Sequence, residues 1–120
     1  MIRHTVAFRL KHAPGSDAER DFLRAACELA DIQGVRKFEC LRQTSAKNPF
    51  TFGLSMEFAD AAAYGFYCDH PEHTAFVRER RIPEVDENME LDYAAHTPRA
   101  SGAKNAPRQD EPGAARRNAG

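Results

Sequence analysis

Apolar residues alternate with polar ones along four stretches of the chain, and this pattern predicts four β-strands. In the first stretch, Ile2 to Leu10, every second residue is apolar except for one histidine. In the clearest stretch, Phe50 to Phe58, the alternate positions are Phe, Phe, Leu, Met and Phe. The two weaker strands are expected over residues 35–44 and near the end of the apolar region, where Met89, Leu91 and Tyr93 share a face.

Capping signals predict two helical regions between these strands. Ser16 to Glu19 fits a capping box that opens the first helix, and Gly34 ends it. Asp60 caps the second region, which the His70-Pro71 pair breaks. The two pieces of that region are therefore predicted at 61–68 and 72–81, the latter ending before Pro83.

The resulting order of elements is β-α-β-β-α-β, which predicts an α+β, ferredoxin-like fold. In this fold a four-stranded antiparallel sheet carries both helices on one face. The other face has no element in this chain to cover it, although strands one and three are partly small and apolar there. We therefore predict a homodimer in which two sheets pack together.

Composition divides the chain into a folded domain, residues 1–95, and a C-terminal tail, residues 96–120. From residue 97 onward there is no Val, Ile, Leu, Phe or Tyr, so we predict that this tail is disordered. The net charge of −1 gives no overall attraction to nucleic acid or to a membrane surface. No apolar run is long enough to span a bilayer, and the alternating N-terminus is unlike a signal peptide.

The three cysteines are separated along the sequence and form no CxxC pair. This spacing favours reduced thiols over a disulfide framework or a cysteine-based zinc site. We accordingly expect a cytoplasmic protein.

The stretch YCDHPEH, residues 67–73, concentrates the candidate chemistry. His70 and His73 lie three residues apart, and with His4 they could bind a metal. Pro71 distorts the local helix, however, and we expect no metal. The neighbouring run Arg78-Glu79-Arg80-Arg81 is typical of a solvated helix face, although near the mouth of a pocket it would attract an anionic substrate.

Four segments together resemble the stress-responsive dimeric α/β-barrel (Dabb) domain family: RHTVAFRLK, FTFGLSMEFAD, YCDHPEHTAFV and LDY. The similarity runs over residues 1–93. It implies a ferredoxin-like monomer whose sheet closes with that of a partner into a barrel, with the cavity depending on both chains. One subgroup is similar to plant polyketide cyclases, which use a Tyr and a His in a cofactor-free aldol cyclisation. Tyr67 and His73 match those roles.

Elementary chemistry agrees with that assignment. His73 can act as a base near neutral pH, and the phenol of Tyr67 can donate to a developing enolate or alkoxide. His4 would project into the same cavity if its strand face lines the barrel, and Asp92 could orient a histidine. A structural role stays open for each of these residues. His73 could pack at the helix junction, Tyr67 and His4 could be core residues, and Asp92 could form a surface pair.

The sequence therefore predicts a homodimer that holds a small apolar molecule and catalyses a cofactor-free acid–base reaction of lyase or cyclase type. No phosphate loop or dinucleotide fingerprint is present, so no nucleotide cofactor is expected. One alternative is a non-catalytic stress-response or assembly protein. A further alternative, by fold analogy alone, is a cofactor-independent monooxygenase.

Overall fold

The structure is a computed structural model that describes residues 1–96. The predicted disordered tail lies, from residue 97 onward, outside the described residues. The strands are β1 (Ile2–Leu10), β2 (Arg36–Arg42), β3 (Phe52–Phe58) and β4 (Val85–Ala94). Helix α1 (Asp17–Cys27) runs into a 3₁₀ turn (Glu28–Asp31), and α2 (Ala61–Asp69) follows β3. The last helical segment consists of α3 (Pro71–Phe76), a π-helical turn (Val77–Arg81) and α4 (Ile82–Glu84).

The four strands form one antiparallel sheet in the order β2-β3-β1-β4. β1 lies in the centre and pairs with both β3 and β4, so Val6 stands opposite Leu54 on one side and Glu90 on the other. Residues that are directly opposite in an antiparallel pair share a face of the sheet. The predicted ferredoxin-like α+β fold is therefore confirmed.

One face of the sheet and the inner sides of the helices make up the core. Phe22 and Ala26, four residues apart on α1, point inward because that spacing places both on one side of a helix. Each fully buried large apolar side chain stabilises the fold by about 1.5–3 kcal/mol. The buried apolar residues are Phe8, Leu10, Phe22, Ala26, Leu29, Ile32, Phe52, Leu54, Met56, Phe58 and Tyr67.

The opposite face of the sheet, here called the outer face, carries exposed apolar side chains. Leu41, Met89, Leu91 and Tyr93 are 46–53% exposed. The strand register aligns Leu41 with Gly53, Gly53 with Ala7 and Ala7 with Met89 in one row across the sheet. Within residues 1–96 no helix packs over this face, as the sequence led us to expect.

The last helical segment continues beyond its predicted end. It was expected to end before Pro83, but helical structure extends to Glu84. The π-helical turn explains this difference, because the Ile82 amide donates to the carbonyl of Val77, five residues back. A widened turn relieves the clash between a proline ring and the preceding turn. The longest helix of the described residues has 11 residues, and none is long and apolar enough to cross a membrane.

Candidate active site

Helix α2 presents two tyrosines to the sheet. Asp60 caps it, because its Oδ1 accepts a hydrogen bond from the Ala63 amide at 2.9 Å. Tyr64 and Tyr67 are three residues apart and therefore lie on the same side of the helix. The helix ends at Asp69 because the next residue, which precedes Pro71, adopts an extended backbone.

His70 has a structural role at this break. It is the N-cap of α3, and its Nδ1 accepts a hydrogen bond from the Glu72 amide at 3.0 Å. Its ring packs edge-on against Phe66, with centroids 5.7 Å apart. His70 thus serves the helix break, and residues 1–96 contain no group of three or more His, Cys, Asp or Glu that could hold a metal.

His73 is held in one tautomer by the helix that precedes it. Its Nδ1 lies 3.1 Å from the carbonyl oxygen of Cys68. A carbonyl can only accept, so Nδ1 carries the hydrogen and Nε2 keeps its lone pair. Burial lowers the pKa of His73 from its ordinary value, partly offset by the hydrogen bond to Cys68. The imidazole is therefore neutral at physiological pH and can accept a proton at Nε2.

Tyr67 lies between the two histidines that face the core. Its ring centroid is 4.4 Å from that of His73, 6.3 Å from that of His4 and 5.0 Å from that of Phe58. The residue is 2% exposed, and no group within residues 1–96 hydrogen-bonds its hydroxyl. Burial raises the pKa of Tyr67, so the phenol keeps its proton and is available as a donor.

His4 is oriented by a pair of residues from β4 and α2. Asp92 stands directly opposite His4 in the β1–β4 register, and its Oδ1 is 2.6 Å from His4 Nδ1. The Tyr64 hydroxyl donates to Asp92 Oδ2 at 2.8 Å and lies 3.0 Å from the same Nδ1. With Nδ1 donating to a carboxylate, Nε2 of His4 is also left as an acceptor.

Sequence reasoning missed Tyr64 as part of this group. Its pKa is raised by burial and then by the hydrogen bond to Asp92, so it remains a donor. The available signal was its position on the same side of α2 as Tyr67. That signal does not identify Asp92 as its partner, because the β1–β4 register is needed for that.

A cavity of about 70 Å³ lies between the sheet and the helices. The side chains of His4, Tyr67 and His73 line it together, whereas Asp92 does not reach it and stands behind His4. Most of the remaining wall is apolar: Val6, Phe8, Phe22, Leu29, Leu54, Met56, Phe76, Val77 and Val85. All of these walls belong to one chain, and the dependence of the cavity on a second chain stays a prediction.

The basic run at residues 78–81 divides between two environments. Arg78 and Glu79 are solvated, as predicted, with side chains 67% and 64% exposed. Arg80 is instead paired with Glu84 and Asp21, and Arg81 lines the cavity together with Glu90. The prediction of a solvated face is therefore wrong for the last two arginines, because the π-helical turn directs Arg81 toward the cavity.

Comparison with known families gives one match, which covers nearly all of the described residues. The model of the Stress responsive A/B Barrel Domain (Dabb) matches residues 2–95. None of the curated proteins matches the sequence.

Several solved structures share the fold. A Dabb family protein with a ferredoxin-like fold from Mesorhizobium loti is 55% identical, with a TM-score of 0.79, over 80% of this chain and 97% of that chain. A dimeric ferredoxin-like protein of unknown function from Bacteroides fragilis is 23% identical, with a TM-score of 0.59, over 77% and 93%. The hydroxynitrile lyase from Passiflora edulis is 17% identical, with a TM-score of 0.70, over 79% and 93%. At such low identity the last two show the fold alone.

Proposed function

The chain belongs to the stress-responsive A/B barrel (Dabb) family, and on that premise we propose that it is a cytoplasmic homodimer that binds a small, largely apolar molecule within each chain. We propose further that it catalyses a cofactor-free acid–base reaction of lyase or cyclase type on that molecule. One observation carries the proposal: two imidazoles with fixed Nδ1 hydrogens flank a tyrosine in the wall of one largely apolar cavity, and no group of residues 1–96 hydrogen-bonds its hydroxyl.

His73 is the proposed base. Its Nε2 takes a proton from the carbon next to a substrate carbonyl, the C–H electrons form a carbon–carbon double bond, and the carbonyl electrons move to oxygen. Tyr67 donates a hydrogen bond to the resulting enolate oxygen. The enolate then recovers its proton from His73, or it attacks a second carbonyl and the alkoxide formed takes the proton from His73. Either course restores the neutral imidazole, so the reaction needs no external oxidant or reductant.

His4 is proposed as a second acceptor in the same wall, with Asp92 and Tyr64 as its positioning residues. An imidazole whose Nδ1 hydrogen is bound to a carboxylate keeps its ring orientation and its tautomer, with the lone pair on Nε2. The name of the Passiflora edulis neighbour makes cleavage of a hydroxynitrile a reasonable lyase reaction to test. In that reaction a base removes the hydroxyl proton, the bond to the nitrile carbon breaks, and cyanide leaves with its electrons to be protonated.

The outer face supports the homodimer. Four half-exposed apolar side chains on an uncovered sheet, Leu41, Met89, Leu91 and Tyr93, form a surface that a second copy would bury. The Bacteroides fragilis neighbour is itself described as dimeric.

The test is proton exchange at the α-carbon of a small ketone. Wild-type protein in D₂O with cyclohexanone should raise the rate of deuterium incorporation, followed by NMR, above that of buffer. Release of cyanide from 2-hydroxy-2-methylpropanenitrile tests the lyase chemistry in parallel. Saturation-transfer NMR reports ketone binding in the same samples. Ketone binding without either reaction would favour the alternative, a non-catalytic binding or assembly protein, over the enzyme. Absence of ketone binding would refute both the catalytic role and the binding role.

A further inference from the structure

Arg81 and Glu90 bring opposite charges to an otherwise largely apolar cavity. Arg81 comes from the π-helical turn, and Glu90 comes from β4. Their side chains are 29% and 50% exposed, whereas His4 and Tyr67, in the same wall, are 6% and 2% exposed. The two charged side chains therefore mark the mouth of the cavity.

Arg81 forms a longer and weaker ion pair than its neighbour Arg80. Arg80 donates to Glu84 at 2.6 Å and to Asp21 at 2.8 Å. Arg81 has Glu90 at 3.7 Å, which is too long for a hydrogen bond, and no other carboxylate within residues 1–96 lies within 4.0 Å of its guanidinium. Its planar fork of five N–H donors is thus largely free of protein acceptors.

We propose that Arg81 anchors the carboxylate of a small apolar acid, so that the substrate of the proposed reaction is a monocarboxylate rather than a neutral molecule. This inference rests on the proposed function and narrows its substrate class. The guanidinium fork matches a carboxylate in a bidentate geometry, and partial burial strengthens that interaction. Glu90 is the internal counter-ion that the substrate carboxylate replaces.

The dimensions of the cavity favour a short apolar chain beyond that carboxylate. A volume of about 70 Å³ has room for roughly five water-sized groups. With the carboxylate at Arg81, the apolar body lies against Phe8, Phe22 and Leu54, and the wall beside it carries Tyr67 and His73. The substrate class is therefore an apolar acid of about six carbons that carries a carbonyl or an acidic C–H bond within its chain.

The test compares two probes of the same shape, hexanoate and hexanamide, titrated into the full-length protein by NMR or calorimetry at pH 7.5. Wild type should bind hexanoate at least tenfold more tightly than hexanamide, the range expected for a charge-assisted bidentate pair. Arg81→Met should remove this preference while leaving hexanamide affinity within about twofold. Arg78→Met is the matched control on the same turn and should keep the preference, since Arg78 is 67% exposed and pairs with Glu79.

A second variant tests the role of Glu90. Glu90→Gln removes the competing carboxylate, so hexanoate should bind several-fold more tightly while hexanamide affinity stays unchanged. If Arg81→Met does not fold, Glu90→Gln tests the inference by itself. A hexanoate affinity in Glu90→Gln equal to that of wild type then overturns the inference.

Other outcomes separate this inference from the proposed function. Equal affinity of wild type for the two probes, or a preference that persists in Arg81→Met, overturns the carboxylate anchor and leaves the cavity chemistry standing. Failure of both probes and of cyclohexanone to bind overturns the anchor and the proposed function together.

Discussion

Tyr67 and His73 meet with their ring centroids 4.4 Å apart across the helix break at Pro71. Tyr67 lies near the end of α2, and His73 lies in the first turn of α3. The break turns the chain so that residues six positions apart face one cavity, which a continuous helix would not achieve, since six residues correspond to about 600° of rotation. This pair is the basis of the proposed chemistry.

Replacing Tyr67 with Phe should separate chemistry from packing. The ring and its contacts with Phe58 and His73 remain, and the lost hydroxyl has no partner within residues 1–96. The melting temperature should therefore change little, whereas deuterium exchange into cyclohexanone should fall about 10²–10³-fold through loss of the enolate donor. Tyr93→Phe, on the outer face, is the matched control and should leave the exchange rate at the wild-type level. Unchanged exchange in Tyr67→Phe would exclude Tyr67 as the donor.

The pH dependence of exchange should report His73. Burial lowers the pKa of its imidazole, so the neutral form persists below the ordinary value of about 6.5. Activity should stay high through that pH and fall only at lower pH, as Nε2 becomes protonated. A pH–rate profile with its acid limb above pH 6.5 would contradict the proposed base.

The stability of the protein should show the same ionisation. A histidine whose pKa is lower in the folded state than in the unfolded state contributes stability above the unfolded pKa, and that stability is lost as the pH falls. Wild type should therefore lose unfolding free energy relative to His73→Gln below about pH 6.5, by at most ~1.4 kcal/mol per pH unit. Urea unfolding at several pH values measures this, with the exposed His96→Gln as the control that tracks wild type.

Removing the support of His4 should alter its tautomer. In Asp92→Ala the acceptor of Nδ1 is gone, so ¹⁵N NMR of His4 should show a mixture of tautomers while His73 keeps its hydrogen on Nδ1. Tyr64→Phe deletes only the hydroxyl that binds Asp92 and should cost about 1 kcal/mol of stability. A His4 spectrum that is identical in wild type and Asp92→Ala would show that Asp92 does not position the ring.

The outer face should govern the oligomeric state. Leu91→Glu places a charge in the centre of the half-exposed apolar surface and should convert a dimer into a monomer, measured by size exclusion with light scattering. Ile82→Glu is the control: Ile82 is 66% exposed but lies in the helical layer, so the dimer should persist. A monomeric wild type at micromolar concentration would refute the homodimer.

Much of the fold was predictable because local patterns carry it. The alternation in β1, the caps at Ser16 and Asp60 and the break before Pro71 all appear where the sequence placed them, and β3 begins at Phe52, two residues after its predicted start. Each depends on residues within a few positions of one another. The extension of the last helix past Pro83 was not predictable, because a π-helical turn has no strong signal in the sequence.

Only part of the candidate site could be predicted from the sequence. His4, Tyr67, His73 and Asp92 could be named from residue type and family resemblance, but not the arrangement that joins them. Tyr64 completes the support of His4 only because β4 pairs with β1 in a register that places Asp92 opposite His4. Arg81 faces the cavity rather than solvent only because of the geometry of its turn.

By itself, then, the sequence determined the order of elements, the buried face of β1 and β3 and the break that divides the second helical region. Tertiary structure decided which side chains line one cavity, which hydrogen bonds fix the two imidazoles and which arginine stands at the cavity mouth. The physical reason is distance along the chain: periodicity, caps and prolines act over a few residues, whereas His4 and Asp92 are 88 positions apart. Strand register and helix packing alone bring such residues into contact.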